Sequence, residues 1–207
     1  MNSAAKAPHE PPGVTPDASG AKARIERAAL GLFCIRGVDA VTTREIASAS
    51  SVSEGALYRH YPSKESLAET MFFAIHTRLA CEVEEAAQSA NGIDEKARAI
   101  VAAYVRIADH DWTLFTYHLL TTHRFLPYAN KSAEQSRTDN PVAIVEGVIS
   151  ESMKSGALPS GDSNLKAAAA LGVVLQAALH KIYGRISGDL SAHESSLAQA
   201  VIAVLRS

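Results

Sequence analysis

Three observations predict an all-helical protein. From Lys22 onward, apolar residues recur three and four positions apart, the period of a helix buried along one face. Alternation of apolar and polar residues, the mark of a half-buried strand, is nearly absent. The gaps between apolar stripes hold residues that start and stop helices: serine, threonine, asparagine and aspartate on one side, glycine and proline on the other. About nine helices are expected, and no internal repeat is visible.

Residues 1–20 (MNSAAKAPHEPPGVTPDASG) are rich in Pro, Ala and Gly and read as a disordered arm. They lack the apolar core of a secretion signal. The first helix carries Ile25, Ala29, Leu32 and Phe33 at helical spacing, and Gly37 is placed to end it. Thr42 and Glu45 form a capping box for a short second helix. Ser53 and Ser63 sit as N-caps of the third and fourth, with Pro62 keeping these two apart. Leu67, Met71, Ile75 and Leu79 carry the fourth helix into the mid-80s, where Asn91-Gly92 breaks it. Ala97, Ile100, Val101, Tyr104 and Val105 mark a fifth. Asp111 caps a sixth that runs through Trp112 and Phe115 to about Thr122. The polar segment from His123 to Asn140, with Pro127, is expected as a loop. Asn140-Pro141 starts a seventh helix that Gly156 ends. The eighth runs from about Ser163 to Gly184, and Ser191 with Glu194 forms a capping box for a ninth that ends near Leu205.

With 207 residues, 47% hydrophobic and 20% charged, the chain can bury a substantial core. Cys34 and Cys81 lie in apolar helical contexts and read as two buried thiols in a reducing cytoplasm. The longest apolar run, from Ala167 to Leu175, is far short of a membrane span, so no membrane partner is expected. A formal charge of −2 argues against wholesale coating of nucleic acid, though not against a local patch.

Such a patch lies in Thr42 to Leu67, TTREIASASSVSEGALYRHYPSKESL. Two short helices joined by Ser51-Val52-Ser53 fit a helix-turn-helix. Ile46, Ala47, Val52, Leu57 and Tyr61 supply the inward positions, with the small Ala47 where the helices cross. Gly55 and Arg59 then fall on the solvent side of the second helix, flanked by Ala56 and Tyr58. A thin face with one long cation suits entry into the major groove, and Gly55 permits close backbone approach to base edges.

The stretch from Arg24 to Leu67 resembles the DNA-binding domain of the tetracycline-repressor (TetR/AcrR) family of transcriptional regulators. The resemblance rests on Ile25, Ala28, Leu32, Phe33 and Gly37, on Thr42-Thr43-Arg44-Glu45-Ile46-Ala47, on Val52 through Tyr61, and on Ser63-Lys64-Glu65-Ser66-Leu67. It implies a helix-turn-helix domain over residues 21–67 and a helical effector-binding and dimerisation domain over 68–207. It also implies that Thr43, Arg44, Ser53, Gly55, Ala56, Tyr58, Arg59, His60 and Lys64 meet a double-stranded DNA operator. Tyr58, His60 and Lys64 are expected at phosphates, and Arg59 with the positions around Gly55 and Ala56 at bases. Two residues depart from the common pattern. Ser51 stands where glycine is usual, at some backbone strain. Glu54 puts a negative charge at the start of the recognition helix, where it either accepts from a cytosine amino group or complements the helix terminus; we favour the second. Cations and carboxylates nearly balance over this domain, so affinity must come from placement and from two paired copies, which implies a modest salt slope per subunit.

In the eighth helix, KAAAALGVVLQAALHKIYG, apolar residues surround most of the circumference, and Ala168, Ala169 and Gly172 permit close approach of another helix. Ala198, Val201, Ile202 and Leu205 supply a stripe on the ninth. A homodimer through these two helices is expected, in keeping with the implied family. Tyr104, Trp112, Phe115, His118, Phe125, Tyr128, Met153, Gln176, His180 and Tyr183 are the aromatic and polar residues available to line a pocket for a small-molecule effector.

No catalytic constellation, cofactor or metal site is expected. His118 and His123 are five apart rather than four, and with His110 they make no ligand set. Ser163-Asn164-Leu165-Lys166 matches S-x-x-K without its companion motifs. No P-loop, G-x-G-x-x-G, H-E-x-x-H or paired-cysteine motif appears. The expected function is a repressor released from a palindromic operator by an effector. The alternatives are a helical small-molecule-binding protein without specific DNA recognition and, more remotely, an enzyme.

Overall fold

The structure, a computed structural model, describes residues 13–129 and 140–207; of residues 127–129 it describes the backbone alone. The described residues form α1 (Gly20–Arg36), α2 (Thr43–Ala49), α3 (Glu54–His60), α4 (Lys64–Gln88), α5 (Ile93–His110), α6 (Trp112–Ala129), α7 (Pro141–Lys154), α8 (Ser163–Ile182) and α9 (Glu194–Arg206), with no strand among them. They divide into two compact units that meet in sequence at Ala74 and Ile75, part-way along α4.

In the N-terminal unit α1, α2 and α3 pack on one another around Ile25, Ala29, Leu30, Phe33, Ile46, Ala47 and Leu57. The helix ends follow from their caps. The Thr42 hydroxyl accepts from the Glu45 amide while the Glu45 carboxylate accepts from the Thr42 amide. Ser53 accepts from the Ala56 amide at 3.1 Å, and Ser63 from the Ser66 amide at 3.0 Å. Gly37 closes α1 at φ 77°, a backbone region that favours glycine.

The N-terminal arm was expected to extend to residue 20. Residues 1–12 lie outside the described residues, but Gly13 to Ser19 form an ordered segment packed on α1, with Val14 and Thr15 buried. Its anchor is Glu26, a fully buried carboxylate on α1 that accepts from the Val14 and Thr15 amides and the Thr15 hydroxyl. Gly13 is required by this close approach, because a Cβ there would lie 2.2 Å from that of Ala18. Leu32, expected inward, is only half-buried; Leu30 takes the inner position.

In the C-terminal unit α5 packs against α6, α7 and α9, and α8 packs against α7 and α9. The core joins Ile100, Val101, Tyr104 and Ile107 of α5 to Val145 and Ile149 of α7, Ala170, Leu171 and Val174 of α8, and Val201 and Leu205 of α9. Arg206 clamps Asp94 through two guanidinium bonds from Nη2 of 2.9 and 3.0 Å, tying the end of α9 to the start of α5.

Two expectations fail in this unit. The segment from His123 is not a loop at its start: α6 continues to Ala129. Phe125 is buried, the Thr121 and Thr122 hydroxyls bond back to the carbonyls of Tyr117 and His118, and Pro127 falls in the last turn, where it removes only one helical bond. Nor do Ser191 and Glu194 form a capping box. Leu190–His193 is a 3-10 turn, and the amides of Leu190 and Ser191 are held instead by the Asp109 carboxylate of α5 at 2.9 and 2.8 Å.

By length and composition alone α8 could cross a membrane, with a mean hydropathy of 1.3 over its most apolar window. Its inner face, Ala167, Ala170, Leu171, Val174 and Ala178, is buried against the unit. Its outer face leaves Leu165, Ala168, Ala169 and Gln176 exposed, Leu165 at 70%, as is Tyr183 directly after the helix.

Candidate nucleic-acid interface

The expected interface residues lie on α2, α3 and the start of α4. Leu57 is fully buried and Tyr61 nearly so, which fixes the rotation of α3 and turns Gly55, Tyr58, Arg59 and His60 to solvent. Arg44 is exposed on α2, while Thr43 and Ala56 are half-buried beside these residues. The Thr43 hydroxyl lies 3.2 Å from that of Tyr58 and 3.5 Å from Oε2 of Glu54, joining the start of α2 to the face of α3. Glu54 therefore has a partner within the domain as well as its place at the amino end of α3, which favours the helix-terminus reading.

The cations of this unit fall into two groups. Lys22 pairs with Asp17 at 2.7 Å. Arg24 donates to the Ser50 carbonyl, and Arg36 to Glu45 and to the Ala40 carbonyl. The Arg36 guanidinium, with Thr42, holds the Glu45 carboxyl down to about 2. Arg44, Arg59 and His60, by contrast, make no hydrogen bond or ion pair among the described residues. Near-neutrality of the domain thus hides two outward guanidinium groups, Arg44 and Arg59, without partners among the described residues, the arrangement a polyanion requires.

Two expected contacts look different in the structure. The Lys64 ammonium donates to the carbonyls of Val41 and Asp39 at 2.8 and 3.2 Å, so it braces the segment between α1 and α2. The Ser53 hydroxyl is engaged as the cap of α3. Thr43, Tyr58 and Lys64 nevertheless line one surface groove of about 390 Å³, together with Thr42, Ser63 and Glu65. Ser51 adopts φ 54°, the only non-glycine at positive φ among the described residues, as its place in the turn led us to expect.

Sequence reasoning missed the group that sets the far end of α3. The Tyr61 hydroxyl donates to Oε1 of Glu26 at 2.5 Å. Burial and this carboxylate push the phenol well above its ordinary value. The signal was present: Glu26 stands three, four and seven residues before Ala29, Leu30 and Phe33, on the inward face of α1.

The pocket residues expected in the C-terminal unit scatter. Tyr104 lines an apolar cavity of about 30 Å³ with residues of α5, α7, α8 and α9. Phe115 and Phe125 are core, and Met153 and Trp112 pack partly buried against the core, with the Lys181 ammonium 4.5 Å from the Trp112 ring centroid. His118 is buried with its Nε2 2.9 Å from Nδ1 of His76. His180 is half-buried with its ring 6.5 Å from that of Tyr183. Gln176 on α8 and Tyr183 directly after it are exposed, because the small residues of that helix turn its other side inward. The Tyr128 side chain lies outside the described residues.

Residues 25–71 match the family model described as bacterial regulatory proteins, tetR family. The nucleoid occlusion factor SlmA of Haemophilus ducreyi is 33% identical over 73 residues, 35% of this chain and 36% of that protein. The HTH-type transcriptional repressor KstR2 of Rhodococcus jostii is 34% identical over 79 residues, 38% of each chain. The chain thus matches little more than a third of the length of these relatives. The fold is similar to that of the transcriptional regulator FadR from Bacillus subtilis, solved in complex with stearoyl-CoA, at a TM-score of 0.71 and 19% identity over 87% of this chain and 97% of that one. Residues 25–71 are thus similar to the DNA-binding domain of the tetR family of bacterial regulatory proteins.

Proposed function

We propose that the chain is a homodimeric transcriptional regulator, a repressor that leaves a palindromic operator when a small molecule binds its C-terminal unit. The observation that carries this reading is the exposed set of Tyr58, Arg59 and His60 on α3 with Arg44 on α2, where the capped start of α3 and the buried Leu57 and Tyr61 fix the rotation of that helix. Arg59 is assigned to base edges, Tyr58 and His60 to phosphates. Acting on chromosomal DNA, the protein works in the cytoplasm.

Dimerisation is supported by the outer faces of α8 and α9. Leu165, Ala168, Ala169, Tyr183, Ala200 and Ala203 leave apolar surface uncovered on two helices that pack side by side. A paired protein also suits a palindromic operator, whose half-sites lie in successive major grooves about 34 Å apart. An apolar effector suits the cavity lined by Tyr104 and aliphatic residues; the stearoyl-CoA of the Bacillus subtilis neighbour is a ligand of that protein and of the same broad character.

The test is a fluorescence-anisotropy titration against the DNA flanking the protein's own gene, beside a scrambled duplex, at two salt concentrations. Specific binding that weakens in Arg59→Ala is expected. Binding to neither duplex at low salt would instead favour a small-molecule-binding protein without DNA recognition.

A further inference from the structure

The cavity of the C-terminal unit holds one chemical anomaly. Its walls are Ile93, Ala97, Ile100 and Val101 of α5, Val145, Val148 and Ile149 of α7, and aliphatic residues of α8 and α9. Tyr104 supplies the single hydroxyl on these walls. The residue is only 3% exposed, and its hydroxyl makes no hydrogen bond among the described residues. A hydroxyl in so apolar a setting, with no protein partner, leaves a hydrogen bond that a water or a ligand in the cavity can complete. Burial raises this phenol above its ordinary value, so it is a neutral donor.

The cavity also has a way in. Ile93 and Val148 belong to its lining and to that of a surface pocket of about 280 Å³ formed with Gly92, Lys96, Glu151, Ser152 and Ser155. These two aliphatic side chains are therefore shared by the cavity and the surface pocket. The enclosed space of about 30 Å³ accommodates a water or two, and a ligand fits only by displacing Val148 or Ile93 and parting α5 from α7. A ligand that binds the parted state alone shifts the population towards it.

We propose that this cavity is the effector site, and that it takes a neutral, hydrocarbon-rich compound presenting one carbonyl or ether oxygen to the Tyr104 hydroxyl. The inference rests on the regulatory reading above and deepens it. An ionised group is excluded from the inner part because no lining residue carries a charge, and burying an uncompensated charge is far costlier than burying a carbonyl that accepts one bond. Charge on a longer ligand stays outside, among Lys96, Glu84 and Glu151 of the neighbouring groove, whose mixed signs select neither an anion nor a cation.

The probes are methyl hexyl ketone, octanoate as its charged counterpart of equal carbon number, and octane, each titrated into the full chain by calorimetry and by thermal unfolding. The ketone is expected to bind and to raise the melting temperature, and octanoate to do neither. Octane is expected to bind more weakly than the ketone, and equally in wild type and Tyr104→Phe. The ketone should bind Tyr104→Phe roughly tenfold more weakly, the loss of one hydrogen bond. Tyr104→Phe without ligand should melt at or above the wild-type temperature, since it removes an unpartnered polar group. Ala170→Val, which narrows the cavity, should remain folded and lose the ketone. Equal ketone affinity in Tyr104→Phe, equal affinity for octanoate, or a lowered melting temperature of unliganded Tyr104→Phe would overturn the assignment. The same samples titrated with operator DNA separate the two readings. Specific DNA binding without ketone binding overturns the site and leaves the regulator standing. Tyr104-dependent ketone binding without specific DNA binding supports the site and counts against the regulator.

Discussion

The hydroxyl of Tyr61, directly after α3, donates to a carboxylate oxygen of Glu26 on α1, at 2.5 Å and across 35 positions of sequence. The same carboxylate accepts from the Val14 and Thr15 amides and the Thr15 hydroxyl. One buried group thus joins the N-terminal segment, α1 and the end of α3. Glu26→Ala leaves several buried donors without partners and should destabilise by about 3 kcal/mol or more. Tyr61→Phe removes one donor and should cost about 1.5 kcal/mol. Urea unfolding checks both the size and the order; a neutral Glu26→Ala would show that these bonds do not hold the segment.

Ser51 at φ 54° carries a strain that glycine would not. Relief of the left-handed strain, about 1–2 kcal/mol, exceeds the extra flexibility glycine brings to the unfolded chain. Ser51→Gly should therefore stabilise the protein by about 0.5 kcal/mol. A lower midpoint in the same urea experiment would mean that the turn is not strained.

The two groups of cations should separate in experiment. Arg44 and Arg59 make no hydrogen bond or ion pair among the described residues, so their alanine variants should leave the melting temperature unchanged and weaken operator binding about tenfold or more. Any of these groups that meets a phosphate lowers the salt slope by about 0.9 when removed. Lys64 braces the carbonyls of Val41 and Asp39, and Lys64→Met should lower the melting temperature first. A Lys64 variant of native stability with a reduced salt slope would return that residue to the phosphate set.

His118 is pushed down to about 3, by burial first and by the His76 imidazole second. Its folded value lies below its unfolded one, so the unfolded chain binds the extra proton. Stability from this group is complete above about pH 6.5 and declines as the pH falls from there towards 3. At pH 5 the loss should be roughly 2 kcal/mol. Denaturation at pH 7 and pH 5 measures it, and His118→Gln should flatten the difference.

The uncovered face of α8 should be self-complementary. Ala169→Arg places a long cation on it and should yield a species of single-chain mass in sedimentation, with operator affinity lost in parallel. A variant that still sediments as a dimer would move the interface elsewhere.

The helices and their ends were legible in the sequence, because caps and stop residues act over three or four positions. Thr42 with Glu45, Ser53, Asn140, Gly37 and Gly156 all end or begin helices where local chemistry placed them. The outward face of α3 was legible too, since burying Leu57 and Tyr61 on a rigid helix leaves Gly55 and Arg59 no other side. What the tertiary structure decided involves partners distant in sequence. Asp109 caps the Leu190–His193 turn in place of the local Ser191 and Glu194. Glu26 draws residues 14 and 15 out of an arm that composition alone leaves disordered. Tyr104, rather than the outer Gln176 and Tyr183, faces a cavity. A cap is written in the residues beside it, whereas the partner of a buried carboxylate or hydroxyl is settled only when separate helices converge and exclude water.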